Sequence, residues 1–330
     1  MPDRKDKGIS PIACPEGHKS VEAEDGQTGL GVSQGGRGAS NTPDPKYFNT
    51  CIDYLKVRFD KPFQMTDLDF ILLFDLLKLN INHVTMKRGG DNYEDTFAYD
   101  EGCCVMSGGD YTKNKDGKET CVLEMKGHAC RLFEERIWNA LPFKPEPREA
   151  RKISDEGWKR LFLKLRDMGA ICTRIDLPTD DLNGAVPFAE LRQKIGNKEY
   201  TSNMRSMTLQ DSLPKDCDPA RIRESKNQGY TATLGGRDSV QLCIYNKLAE
   251  RERFGGVFNL NSWIRYEVRY YHRNAQKAFL GLTNAFETGN VQKFIVGCLK
   301  GCIDFKMNVD QYRKSGNDRH GLGSAFEAFA

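Results

Sequence analysis

Three segments of this 330-residue chain alternate polar and apolar residues with period two and carry groups that can act on a phosphodiester. Residues two apart in a strand share a face. Residues 170–177 therefore place Ile171, Thr173, Ile175 and Leu177 on one side, with Cys172, Arg174 and Asp176 on the other. Residues 240–246 put Val240, Leu242 and Ile244 inward, opposite Gln241, Cys243 and Tyr245. Residues 262–271 group Ile264, Tyr266, Val268 and Tyr270 against Arg265, Glu267 and Arg269. As neighbours in one sheet, the three segments would bring Asp176, Tyr245 and Glu267 together. Two hard carboxylates suit Mg²⁺ or Mn²⁺, and a divalent ion stabilises the charge that develops when a phosphate is displaced. A tyrosine, with a reference pKa of about 10, attacks only when a metal or base activates it. Arg174, Lys247 and Arg265 would supply cations for phosphate oxygens. The same pattern also describes an ordinary solvated sheet face with structural ion pairs.

The surrounding elements are read from periodicity. Leu55, Val57 and Phe59 against Lys56 and Arg58 predict a half-buried strand ending at Pro62. Thr66 is expected to cap a helix running through Leu68, Ile71, Leu72, Leu76 and Leu79. A polar loop leads to a short strand over 121–126. An amphipathic helix is predicted over 155–168, stopping at Gly169, and another over about 187–195. Residues 199–228 read as polar and irregular. Thr231–Leu234 and Val240–Asn246 form a hairpin around Gly235 and Gly236, and Asn274–Phe305 is mostly helical. Without a βαβ dinucleotide fingerprint, this alternation predicts an α+β fold with a largely antiparallel β-sheet flanked by helices.

Composition sets the limits. Residues 1–46 hold no aromatic residue, eight glycines and five prolines, so a flexible, disordered tail is expected there. The predicted folded domain spans 47–310, followed by a C-terminal tail over 311–330. The Gly-rich run near residue 30 lacks the GK[ST] ending of a P-loop. The longest apolar run, Phe70–Phe74, is far short of a membrane span. No secretory signal is visible, and eleven scattered cysteines without a CxxC pair point to reduced thiols in a cytoplasm. Cys298 and Cys302 read as small buried residues, not as ligands of a soft metal. The net charge of +3 hides a basic stretch: Arg192–Arg237 holds nine Lys/Arg against five Asp/Glu, and Lys247–Arg273 six against three. That is the footprint a phosphate backbone selects.

The segments VLEMKGHACRLFEE, ICTRIDLPTDD, TATLGGRDSVQLCIYNKLAER and WIRYEVRYYHRNA resemble, in order and spacing, the replication initiation factor family. This family comprises rolling-circle plasmid initiators and related relaxases of Gram-positive conjugative elements, and the resemblance covers roughly residues 50–305. It implies that Tyr245, in CIYNK, is the nicking nucleophile and that Lys247 contacts the phosphate. It implies that Asp176 and Glu267 hold Mg²⁺ or Mn²⁺, with Asp180 assisting. Arg131, Arg174, Arg237 and Arg265 are the expected DNA contacts. Three departures stand out: Ala129 replaces a glycine of the SGxGCR turn, Cys243 stands where an arginine is expected, and Arg269 where a second acid would help. The His-hydrophobe-His metal motif of other rolling-circle enzymes is absent from the sequence.

The resemblance implies a site-specific nicking and joining enzyme that forms a 5′-phosphotyrosine. Its partners would be origin DNA, a second copy of the chain in a homodimer with pseudo-twofold halves in its sheet, and a helicase. Two alternatives predict different behaviour: a water-using metal nuclease, and a non-catalytic DNA-binding regulatory or partition protein.

Overall fold

The computed structural model describes residues 49–80, 84–89, 92–100, 102–109, 112–142, 147–182, 188–211, 230–253 and 260–305. Both expected tails lie outside the described residues, as do residues 212–229 of the basic stretch.

The chain builds one large antiparallel sheet in two passes. The first pass runs β1 (Asn49–Thr50), β2 (Tyr54–Phe59), α1 (Leu68–Leu76), β3 (Thr85–Arg88), β4 (Asp95–Asp100), β5 (Cys103–Ser107), β6 (Cys121–Met125) and α2 (Gly127–Asn139). Helix α3 (Pro147–Asp167) leads into the second. That pass runs β7 (Ile171–Asp181), α4 (Phe188–Gly196), β8 (Tyr200–Ser202), β9 (Met207–Asp211), β10 (Tyr230–Gly235), β11 (Val240–Asn246) and α5 (Lys247–Arg253). It ends with β12 (Ile264–Tyr271), α6 (His272–Thr288), α7 (Val291–Cys302) and β13 (Ile303–Phe305).

The strand order is β3-β4-β5-β6-β2-β7-β12-β11-β10-β9, with β1 added to β7 and β8 paired separately with β13. Each pass lays its first strand at the centre, its last strand beside it and the others outward in reverse. The central strands β2 and β7 are antiparallel, so a pseudo-twofold axis passes between them, normal to the sheet. This matches the expected pseudo-symmetric halves.

Helices cover one face. Leu55, Val57, Leu123, Ile175 and Leu177 pack there against Phe133, Trp158, Leu161, Phe162 and Phe279. Phe162 stacks on Phe279 with ring centroids 4.9 Å apart. Around the second pass, Leu234, Leu242, Ile244, Tyr266 and Val268 pack with Leu191, Ile195 and Leu299. Each such fully buried side chain contributes roughly 1.5–3 kcal/mol. The opposite face carries the polar partners of the same alternation.

Several elements differ from the sequence reading. Asp67, not Thr66, caps α1, its side chain accepting from the Asp69 N–H. Helix α3 begins eight residues earlier than predicted. The expected loop before residue 121 contains β3, β4 and β5; the four residues of β3 are all exposed, so no alternation marks it. The stretch read as irregular after residue 199 contains β8 and β9. The turn at 126–131 is the start of α2, and a Cβ on Gly127 would lie 3.0 Å from Asp53 Oδ1.

A bulge also corrects the facing of two residues, Cys172 and Ile171, the latter pairing with Arg58 and so lying on the polar face. Lys56 pairs with Arg174 and Val57 with Cys172, which leaves Thr173 extra. Cys172 therefore joins Ile175 and Leu177 in the core at 1% exposure, and its freed N–H donates to Gln276 Oε1 at 2.6 Å. Arg174 and Asp176 stay on the polar face. The hairpin between β10 and β11 is as predicted. Gly235 has φ 75° there, and a Cβ would lie 2.2 Å from the Val240 carbonyl oxygen, so only glycine fits.

Candidate active site

β7, β12 and β11 are consecutive in the sheet, so the three chemistry-bearing segments are neighbours. Tyr245 pairs with Arg265, Cys243 with Glu267, and Arg269 with Asp176. Every one of these side chains falls on the polar face. The Tyr245 hydroxyl donates to Glu267 Oε2 at 3.1 Å. Burial, reinforced by the Glu267 charge, pushes this phenol well above its ordinary value. The tyrosine is thus held neutral, with a carboxylate placed to accept its proton.

The carboxylates are gripped by guanidinium groups. Arg269 donates from Nε to Glu267 Oε1 at 3.1 Å and from Nη2 to Oε2 at 3.0 Å. Arg174 makes the same fork on Asp176, at 3.0 and 2.7 Å, and Arg269 Nε lies 3.8 Å from Asp176 Oδ2. Even so, burial and the nearby Glu267 charge push the Asp176 carboxyl up to about 7. This corner still favours added positive charge. Among the described residues no cluster of three or more His, Cys, Asp or Glu is arranged to hold a metal. A pair of carboxylates fits Mg²⁺, which keeps several waters and leans on substrate phosphates.

Lys247, the first residue of α5, is 6% exposed; its Nζ donates to both Glu250 oxygens at 2.9 and 3.0 Å and lies 5.5 Å from the Tyr245 ring centroid. Arg237 is exposed at the hairpin tip. Two other expected DNA contacts turn inward. Arg265 is 5% exposed, forks onto Asp180 at 2.7 and 2.9 Å, and reaches Asp53 at 2.9 Å. Asp180, expected to assist the metal, is therefore the partner of Arg265. Arg131 pairs with Glu134 at 2.9 Å and donates to the Ile52 carbonyl. Asp53 went unnoticed in the sequence because its cation lies 212 residues away. His272 starts α6 with φ 50°, a turn from strand into helix.

The two passes differ at this site. By register, Glu124 of β6 faces Cys104 as Glu267 faces Cys243, and Lys56 as Glu267 faces Pro178. Continuing that correspondence, Met106 stands where Tyr245 stands and Tyr54 where Asp176 stands. Only the second pass holds the tyrosine and both acids.

Comparison with known proteins bears on this arrangement. The model for the rolling circle replication initiation protein N-terminal domain matches residues 49–140, the first pass. The replication initiation factor model matches residues 170–320, the second pass and the residues following it. The second pass belongs to the replication initiation factor family, and the first is a rolling circle replication initiation protein N-terminal domain. The expected family and α+β fold are both upheld. Among solved structures, the rolling circle replication initiator protein from Geobacillus stearothermophilus has the same fold, with a TM-score of 0.59 at 21% identity over 85% of this chain and 94% of that one. A search of curated proteins found no significant match. Among the described residues, no helix is long and apolar enough to cross a membrane. Membership of this family places the chain in the initiation of DNA replication.

Proposed function

We propose that this initiator nicks and rejoins one DNA strand at an origin of replication or transfer, using Tyr245 as the nucleophile. The observation that carries the reading is the Tyr245–Glu267 hydrogen bond beside the buried Asp176. Tyr245 Oη forms a bond to phosphorus as the bond to the 3′ oxygen breaks, giving a 5′-phosphotyrosine and a free 3′-OH. Glu267 receives the tyrosine proton, and the leaving oxygen takes a proton from solvent. Reversal reseals the strand, because the two transesterifications conserve the phosphodiester.

Asp176 and Glu267 are the residues that would hold Mg²⁺ or Mn²⁺. When bound, that ion supplies positive charge for the non-bridging phosphate oxygens. Lys247, held by Glu250, lies beside the tyrosine ring to meet the same phosphate. Arg174 and Arg237 are the DNA contacts in this reading, while Arg265 and Arg131 support the floor beneath. A homodimer, a helicase partner and a cytoplasmic location belong to the same proposal.

The test uses supercoiled plasmid bearing the gene and its flanks, with Mn²⁺. The expected products are open circles and an SDS-resistant protein–DNA adduct, both lost in Tyr245→Phe. Open circles without adduct, persisting in that variant, would establish a water nuclease instead. Binding with no nick on any flanking DNA would leave a regulator.

A further inference from the structure

The polar face extends past the carboxylates to a second cluster, which shares Arg174 with the site above and adds two phenol rings that the nicking chemistry does not use. Tyr54 of β2 pairs with Asp176 of β7, and Arg174 of β7 pairs with Tyr271 of β12. Three adjacent strands thus bring two phenol rings and a guanidinium to one spot. The Arg174 Cζ lies 3.9 Å from the Tyr54 ring centroid and 5.4 Å from that of Tyr271. The guanidinium and the Tyr54 ring are held in place, and so is the backbone that carries the Tyr271 ring. Asp176 forks the guanidinium, Glu124 accepts from the Tyr54 hydroxyl, and the Tyr271 backbone N–H donates to the Ser239 carbonyl at 2.9 Å.

Both rings remain partly exposed. Cations surround them: Arg269 keeps a quarter of its side chain at the surface, Arg237 is exposed nearby, and its charge reaches the Tyr271 hydroxyl. Fixed aromatic rings among cations are what single-stranded nucleic acid needs, since every base has a face to stack and every nucleotide a phosphate to neutralise. An arginine plane lying on a ring extends the stacking surface. Duplex DNA hides its base faces and gains nothing from the rings.

The position is also suitable. Tyr245 pairs with Arg265, six residues before Tyr271 on the same strand, which is about 20 Å along the sheet. We propose that Tyr54, Arg174 and Tyr271 form a stacking subsite for bases of the single strand that runs from the Tyr245 site across the polar face. Identifying that strand with the one being nicked rests on the function proposed above; the subsite itself does not.

The test measures binding of a fluorescein-labelled oligo-dT strand to the full chain by anisotropy, with Tyr54→Leu, Tyr271→Leu and the matching Phe variants. Stacking contributes about 1–3 kcal/mol per base, so each Leu variant should weaken single-strand binding roughly 5- to 150-fold. Tyr271→Phe should bind like wild type, Tyr54→Phe, which keeps its ring beside Arg174 but loses the Glu124 bond, should lose far less than Tyr54→Leu, and duplex binding should be unchanged throughout. Equal binding by the Leu variants, equal loss in the Phe variants, or a matching loss on duplex would overturn the subsite. If the Leu variants do not fold, a 5-iododeoxyuridine strand photo-crosslinked to wild-type protein decides: adducts on Tyr54 or Tyr271 support it, and adducts only elsewhere refute it. The phosphotyrosine adduct is scored separately. Ring-dependent binding without that adduct would retain the subsite and sink the nicking reading, and the reverse result would do the opposite.

Discussion

Tyr245 and Glu267 meet diagonally: Glu267 is registered against Cys243, yet its Oε2 accepts the Tyr245 hydroxyl at 3.1 Å, across two positions of the ladder. A carboxylate directly opposite the tyrosine would crowd it; the diagonal leaves the position beside the phenol to Arg265. The proposed nucleophile and its proposed proton acceptor are thus set beside one another by backbone register.

Replacing Glu267 with Gln retains a hydrogen-bond acceptor but removes the base. Nicking of supercoiled plasmid should fall by about 10²-fold or more, with DNA binding preserved. Glu124→Gln, the corresponding change in the first pass, should nick like wild type, because Met106 occupies the tyrosine's place there. Equal losses in the two variants would show that the effect is not catalytic.

Arg265 is buried between Asp180 and Asp53. Removing one partner of a buried ion pair leaves an uncompensated charge and costs about 3–5 kcal/mol. Asp180→Ala should therefore shift the urea unfolding midpoint sharply downward. A midpoint within error of wild type would mean that Arg265 reaches water, and would restore it as a DNA contact.

Asp53 titrates in the opposite sense to most buried acids. Burial opposes its ionisation, but Arg265 and Arg131, with help from Lys247 and Arg251, overcome that and hold its carboxyl below the ordinary 3.8. The unfolded chain then takes up this proton at higher pH than the folded one. The stabilisation is complete above about pH 3.8 and is lost as pH falls through the folded value. Asp53→Asn should thus be less stable than wild type at neutral pH, with the gap closing below pH 3.8. A gap that stays constant across acid unfolding curves would contradict this.

The strands of the site were legible because one face is apolar: Leu242, Ile244, Val268 and Ile175 mark the period, and their neighbours follow. The bulge at Thr173 was not, since it arises from pairing with β2 and leaves no local mark. Arg265 and Arg131 resembled DNA contacts because sequence shows charge without showing partners. Asp180 lies 85 residues from Arg265 and Ile52 lies 79 from Arg131. Exposed β3 and the Gly127 start of α2 carried no periodic signal either.

Metal binding can be followed without DNA. The Asp176 carboxyl stays raised beside two guanidinium groups, so added Mn²⁺ should raise the melting temperature of the wild-type chain. Linkage gives about 2.7 kcal/mol when the ion is at a hundredfold excess over its dissociation constant. Asp176→Asn should lose most of that shift. A shift of equal size in the variant would locate the ion elsewhere.

The charge pair between Asp53 and Arg265 joins the two passes, although separate family models match them. A fragment ending with α2 would keep an acid whose principal cation belongs to the other piece, and the second piece alone would leave part of a buried guanidinium unanswered. Neither pass is an interchangeable module. Swapping one of them between relatives leaves that buried charge answered only if both ends of the ion pair travel together, so the two halves share one electrostatic account.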